Sequence, residues 1–205
     1  MTPATRRARA RRGEGELLRK EILAAAERLL IQTGDEGAVS IRAIADAAGV
    51  TPPSIYLHFA DKTELLGAVS EARFRDFDRY LEEAAAGVAD PLEILRARGR
   101  AYVRFGLENP EHYRILFMTR RAPDTTPPDA DLPGMGAFSR LVEDVARAMD
   151  TGVFAPGEPF LVAVGLWTAV HGVTSLLIAR PDFPWPEEDR LLDHVLDVAL
   201  RGLQP

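Results

Sequence analysis

The 205 residues include 46% hydrophobic and 27% charged side chains, the balance of a globular protein long enough for one large or two modest domains. There is no cysteine, which excludes disulfides, thiolate chemistry and cysteine-based zinc sites. A net charge of −6 argues against a protein that coats nucleic acid indiscriminately.

The charge is unevenly spread. Residues 1 to 12 hold five arginines (Arg6, Arg7, Arg9, Arg11 and Arg12) and no acid. Residues 1 to 64 carry ten Lys/Arg against nine Asp/Glu, or +1, and the remainder fifteen against twenty-two, or −7. The stretch "TRRARARR" reads either as a solvated tail or as an arm that reaches phosphates or a minor groove. The N-terminus shows no apolar signal core, and no unbroken apolar run reaches the roughly 18 residues that cross a bilayer. "EPFLVAVGLWTAVHGVTSLLIAR" comes closest, but Thr168, His171, Gly172, Thr174 and Ser175 interrupt it, and it reads as a core helix. The expectation is a cytoplasmic protein with no membrane partner.

Helical periodicity runs nearly throughout. Leu18, Ile22, Ala25 and Leu29 form the inward stripe of a first helix, ended by Gly34 and Gly37. Ser40 caps a second helix, lined by Ile41, Ile44, Ala45 and Ala48 and closed by Gly49. Thr51 caps a short third helix with Pro52 and Pro53 in its first turn, where the backbone N–H groups have no intrahelical partner. Asp61 and Glu64 form a capping box for a fourth helix to about Ala86. Asp90-Pro91 opens a fifth, ending near Glu108, and Asn109-Pro110 a sixth. Residues 119 to 133, with four prolines, read as a loop. Three more helices are predicted near 134–150, 157–180 and 186–203, the last two separated by "RPDFPWP". The fold class is therefore all-α with about nine helices. The chain divides into a basic arm (1–15), three short helices (16–60) and a longer helical bundle (61–205).

Helix two, the tight Gly49-Val50 turn and helix three form a helix-turn-helix by spacing. In that motif the third helix enters the major groove. Ile55 and Phe59, four apart, anchor it from behind. Thr51, Pro52, Pro53, Ser54, Tyr56 and His58 then face outward. Tyr56 and His58 suit phosphate oxygens, and the proline rings suit a thymine methyl. Ser40 and Arg42 sit at the start of helix two. Lys62 lies in the first turn of helix four, where its charge and the free N–H groups can meet the same anion. Few groups remain for hydrogen-bonded base reading, so phosphate contact and DNA shape are expected to carry a larger share.

The segment "SIRAIADAAGVTPPSIYLHFADKTELL" resembles the N-terminal domain of the tetracycline-repressor (TetR/AcrR) family of bacterial transcription regulators, over roughly residues 16 to 66. The resemblance rests on Ser40, Ile44-Ala45, residues 48–50, "IYLHF" at 55–59 and the "DK.ELL" pattern at 61–66. It implies nine helices, a homodimer and a palindromic operator, and it implies that Tyr56, His58 and Lys62 match positions that commonly touch phosphate. That family usually has small or basic residues where Pro52 and Pro53 stand, which leaves the base contacts open. "ENPEHYRILF" and "LWTAVHGVTSLL" resemble the tryptophan-histidine-glycine type of C-terminal domain through Pro110, Tyr113, Phe117, Trp167, His171 and Gly172.

In the bundle, Trp167 and His171 share one stripe of helix eight. With Phe77, Tyr80, Tyr102, Phe105, Tyr113 and Phe117 they are the candidate lining of a pocket for a small, mostly apolar effector. Each is also a plausible core residue. Gly165, Ala169, Gly172 and Ser175 form a second, small-residue stripe, and Val195, Ala199 and Gly202 offer similar spacing on helix nine. These suit a close four-helix dimer interface, or tight packing within one subunit. No phosphate-cradling glycine loop, metal-ligand spacing or nucleophile elbow is present, and the four histidines are scattered, so neither catalysis, metal nor cofactor is expected. The functional expectation is a homodimeric repressor of a palindromic double-stranded DNA operator, released by a small effector. The alternative is a DNA-binding regulator or adaptor with no small-molecule ligand.

Overall fold

Local signals in the sequence set most of the helix boundaries. The computed structural model describes residues 14–119 and 134–205. The arginine-rich arm and nearly all of the proline-rich 119–133 segment lie outside the described residues. Among the described residues the chain is all-α, with nine helices: α1 (Glu14–Thr33), α2 (Ile41–Ala48), α3 (Pro52–Ile55), α4 (Lys62–Ala85), α5 (Pro91–Glu108), α6 (Pro110–Phe117), α7 (Met135–Asp150), α8 (Pro159–Ala179) and α9 (Glu188–Arg201). Ser40 caps α2 by accepting from the Ala43 N–H, and Asp90 caps α5 by accepting from Leu92 and Glu93. Asp61 accepts from the Glu64 N–H at 2.8 Å, while the Glu64 carboxylate reaches back to the Ala60 N–H, one residue before the position a capping box uses. Gly49 ends α2 at φ 68°, a left-handed conformation that costs glycine nothing.

The chain forms two compact units. One holds the described residues up to Val69 together with Thr119, and the other holds Ser70–Met118 and the residues from 134 onward. The division falls inside α4. In the N-terminal unit, Ile22, Ala25, Ala26 and Leu30 of α1 are buried with Ile44 and Ala45 of α2, Ile55 of α3, and Phe59. The α1 stripe is thus rotated from the expected one: Leu18 and Leu29 are only half-buried, and Ala26 and Leu30 complete the inner face. A helix has 3.6 residues per turn, so neighbouring four-three-four stripes differ by a small rotation that only the packing partners select. The third helix is also shorter than a reading helix of ordinary length. It spans four residues and passes into a turn at Tyr56–His58, held by bonds from the His58 and Phe59 N–H groups to the Ile55 carbonyl.

In the C-terminal unit, α8 packs against α5, α7 and α9 and buries Ala163, Leu166, Val170, Val173 and Thr174. By length and composition α8 is apolar enough to cross a membrane, although Thr168, His171 and Thr174 lie within it. Here one of its faces is core and the other carries exposed Leu161 and Leu176. Where α5 meets α8, a Cβ at Gly106 would collide with the Thr174 side chain, so this crossing requires glycine. Where α5 meets α9, three ion pairs form an antiparallel ladder: Arg96 to Asp197 at 2.6 Å, Arg100 to Asp193 at 2.6 Å and Arg104 to Asp189 at 3.3 Å. The Arg96 hydrogen bond leads the causes that hold the Asp197 carboxyl below its usual range. Between the rungs, Gly99 receives Leu196, whose Cδ2 lies 2.6 Å from where a Cβ would stand. A second charge cluster joins α4, α5 and α7. Arg98 bonds Asp144 at 2.6 Å and Glu82 at 3.0 Å, and Arg140 bonds Glu82 at 2.8 Å and also Asp78. Asp144 is only 5% exposed. Its burial pushes the carboxyl above the usual range, and Arg98 pulls it back.

Candidate functional site

The segment from Thr51 to Phe59 is pinned at two points. Ile55 and Phe59 have 0% and 1% exposure, and the Arg19 guanidinium of α1 lies over the Phe59 ring at 4.7 Å. Between and ahead of these anchors the side chains turn outward. Thr51, Pro52, Pro53 and Tyr56 are exposed, and Ser54 and His58 are half-exposed. Ser40 and Arg42 are exposed at the start of α2. The candidate DNA-facing residues therefore share the N-terminal unit, but their hydrogen-bonding capacity is not all free. Thr51 makes no side-chain cap bond, and its hydroxyl instead lies 3.0 Å from that of Ser54. The Lys62 ammonium donates to the Glu36 carbonyl at 2.9 Å and the Val39 carbonyl at 3.0 Å, tying α4 to the 3-10 turn at Glu36–Ala38. One of its three protons remains for an external anion. The sequence could not reveal this bond, since nothing local links Lys62 to carbonyls over twenty residues earlier.

In the C-terminal unit the expected pocket residues come together as a packed aromatic cluster. Phe77 makes edge contacts with Tyr102, Phe105 and Phe117, at ring separations of 5.1 to 5.7 Å. Tyr113 packs on Phe117 at 4.9 Å and stacks on His171 at 5.7 Å, and Trp167 lies 5.7 Å from His171. Tyr80 sits at the edge, against Phe105, with its hydroxyl donating to Glu108 at 2.8 Å. Phe74 and Phe138 belong to the same cluster, and Phe138 is the one that nothing in the sequence pattern pointed to. Phe74 stands three residues before Phe77 on α4, so helical spacing puts the two on one face.

The polar atoms of this cluster bond one another. Trp167 Nε1–H donates to the Tyr102 oxygen at 3.2 Å, and the Tyr102 and Tyr113 hydroxyls are 3.3 Å apart. The Tyr113 hydroxyl lies 2.7 Å and the Tyr102 hydroxyl 3.0 Å from His171 Nδ1. Ser175 Oγ–H donates to the His171 carbonyl at 2.7 Å, and its oxygen lies 3.3 Å from Nε2. Burial holds His171 below the usual histidine range and pushes both phenols above theirs, so all three are held neutral. With the imidazole proton on Nε2, one chain of donors runs Trp167, Tyr102, Tyr113, His171 and Ser175, and each proton has an acceptor.

The small-residue stripes divide. Gly165, Ala169, Val195 and Ala199 line an open groove of about 670 Å³ between α8 and α9, with Leu161, Val162, Leu166, His194, Val198 and Leu203. Gly172, Ser175 and Gly202 are not among its walls. Ser175 is turned to His171, Gly202 lies just past the end of α9, and a Cβ at Gly172 would meet nothing within 4 Å. Val198 and Leu161 are 65% and 64% exposed, which makes the groove's rim an apolar surface. Among the described residues no group of three or more His, Cys, Asp or Glu side chains is placed to hold a metal.

A three-helix unit with an outward-facing helix-turn-helix, followed by a helical bundle, defines a class: bacterial DNA-binding transcription regulators. The family model described as "Bacterial regulatory proteins, tetR family" matches residues 22–69, and that described as "Tetracyclin repressor-like, C-terminal domain" matches residues 95–199. The chain belongs to the tetR family, and it is a DNA-binding transcriptional regulator of that family rather than an enzyme. It is 31% identical over 99 residues to the HTH-type transcriptional activator FasR of Mycolicibacterium smegmatis, covering 48% of this chain and 45% of that protein. It is 39% identical over 92 residues to the HTH-type transcriptional regulator AcrR of Shigella flexneri, covering 43% and 41%. The matches thus span less than half the length of these two relatives. A protein of unknown function from Rhodococcus sp. RHA1 has the same fold, with a TM-score of 0.76 at 28% identity over 92% of this chain and 96% of that one.

Proposed function

We propose that the protein is a homodimeric repressor of a palindromic operator, released by a small, mostly apolar effector. The observation that carries the DNA-facing part is the pinned segment at Thr51–His58. Its apolar side chains Ile55 and Phe59 are buried while Tyr56 is 54% exposed. Tyr56, His58 and the remaining Lys62 proton serve phosphates, and Ser40, Arg42, Thr51, Pro52, Pro53 and Ser54 face the groove. Residues 16–60 form the DNA-binding domain and residues 61–205 the effector and dimer domain.

Dimerisation uses the α8/α9 groove, where an exposed apolar rim beside Gly165 and Ala169 lets a second copy approach closely. Two copies related by a two-fold axis place their reading segments about 34–36 Å apart, the spacing of successive major grooves. The effector enters among Phe77, Tyr102, Phe105, Tyr113, Phe117 and Trp167, with His171 as the orienting group. Trp167, His171 and Gly172 together make this the tryptophan-histidine-glycine type of domain. Coupling between effector and operator is of the usual order, about 1–3 kcal/mol. One observation favours the second reading, a regulator without a ligand: the polar groups of the cluster already satisfy one another.

A mobility shift on the DNA next to the protein's own gene tests the assignment. Tyr56→Phe should weaken binding to all sequences alike, and a changed sequence preference contradicts the phosphate role. Sedimentation of Val198→Asp and Gly172→Leu tests the interface. Neither site is packed within the subunit, so loss of the dimer with an unchanged fold supports it, and an intact dimer in Val198→Asp argues against it. Adding a compound library to the shifted complex separates the sensor from the ligand-free regulator.

A further inference from the structure

Among the described residues, Leu57 is the most exposed of the large apolar side chains, at 83%. It stands in the turn directly after α3, between two of the most deeply buried side chains of its unit, Ile55 and Phe59. Those anchors fix its direction, because the bonds from the His58 and Phe59 N–H groups to the Ile55 carbonyl close the turn beneath it. It contributes nothing to the core. Pro52, Pro53 and Tyr56 of the same segment are also exposed, while the Thr51 and Ser54 hydroxyls lie 3.0 Å apart and bond each other. The tip of the reading segment is therefore predominantly apolar. In the major groove, the C5-methyl of thymine is the apolar feature that distinguishes one base from the rest.

We propose that Leu57 reads a pyrimidine C5-methyl, one thymine in each half-site, and so determines operator specificity. This rests on the DNA-facing reading of the segment above. Leu57 can give or accept no hydrogen bond, so its contact carries information only through methyl burial. Removing one methyl costs what burying one hydrocarbon group gains, and affinity should fall roughly fourfold per half-site.

The test begins with preferred duplexes selected from a random DNA pool by the full-length wild-type protein. Each thymine is then replaced singly by deoxyuridine, which removes the methyl and leaves every hydrogen-bonding group. Affinities are measured for wild type and Leu57→Ala, whose thermal midpoint should be unchanged because the side chain is solvated. In each half-site, one of these single substitutions should by itself weaken wild type about fourfold and leave Leu57→Ala indifferent. Wild type that tolerates deoxyuridine everywhere, or Leu57→Ala that keeps the full penalty, overturns the inference while the DNA-facing segment stands. If Tyr56→Phe and His58→Ala bind as wild type does, the segment does not face DNA, and both readings fall together.

Discussion

The N-terminal unit leaves Tyr56 54% exposed on an outer surface, whereas the C-terminal unit buries Tyr113 completely and sets its hydroxyl 2.7 Å from His171. The same residue type is thus kept available at one end and satisfied at the other. Polar groups at the N-terminal surface are cheap to present because water solvates them until a partner replaces it. Polar groups in the aromatic cluster must be matched to one another, since a buried unpaired donor costs about 1–3 kcal/mol. The first unit leaves the Tyr56 side chain open to solvent, and the second spends the polar groups of its aromatic cluster on one another.

The sharpest way to break the contrast is to remove an anchor. Phe59→Ala should destabilise the N-terminal unit by about 3–5 kcal/mol and abolish DNA binding, read by thermal unfolding and mobility shift. If binding survives, the outward surface does not depend on the anchors. In the C-terminal unit, Arg98→Ala strands the nearly buried Asp144 and should cost about 3 kcal/mol, measured by denaturant titration. Tyr113→Phe should cost about 1 kcal/mol, because Tyr102 stands 3.0 Å from the same His171 nitrogen and can replace the lost donor. A larger loss would mean that the donor chain acts as one unit.

The smallest effect is the pH dependence of that chain. Burial lowers the His171 pKa, so the folded protein binds the imidazole proton less readily than the unfolded chain. The stability it contributes is complete above about pH 6.5, the unfolded value, and is lost as pH falls towards the folded one. The thermal midpoint of wild type, relative to His171→Gln, should therefore decline below about pH 6.5. A difference that does not vary with pH would show that the imidazole is not desolvated.

Local features of the fold were legible in the sequence, because caps and anchors act over a few residues. Ser40, Asp61 and Asp90 announce their helices, and the four-residue spacing of Ile55 and Phe59 gives the buried side of the reading segment. Features that depend on distant partners were not. Lys62 meets carbonyls 26 and 23 residues away, and Arg98 meets Asp144 across 46. Aromatic composition announced the C-terminal cluster, but not that Trp167, Tyr102, Tyr113 and His171 would use one another as partners. Leu57 was passed over because an apolar residue beside two anchors looks like more core. Its exposure depends on the turn that follows so short a helix.

The ladder between α5 and α9 repeats every four residues on both helices, so its charges alone do not define one alignment. Were α9 displaced by one turn, Arg96 would face Asp193 and Arg100 would face Asp189, and two of the rungs would re-form. Leu196 seated against Gly99 removes that degeneracy, since the positions one turn to either side on α5 are Leu95 and Val103, whose side chains leave no such notch. Electrostatics chooses which face of α9 meets α5, and a single missing methyl group chooses where the helix stops. A bulkier residue at position 99 would release α9 to slide while leaving every charge in place.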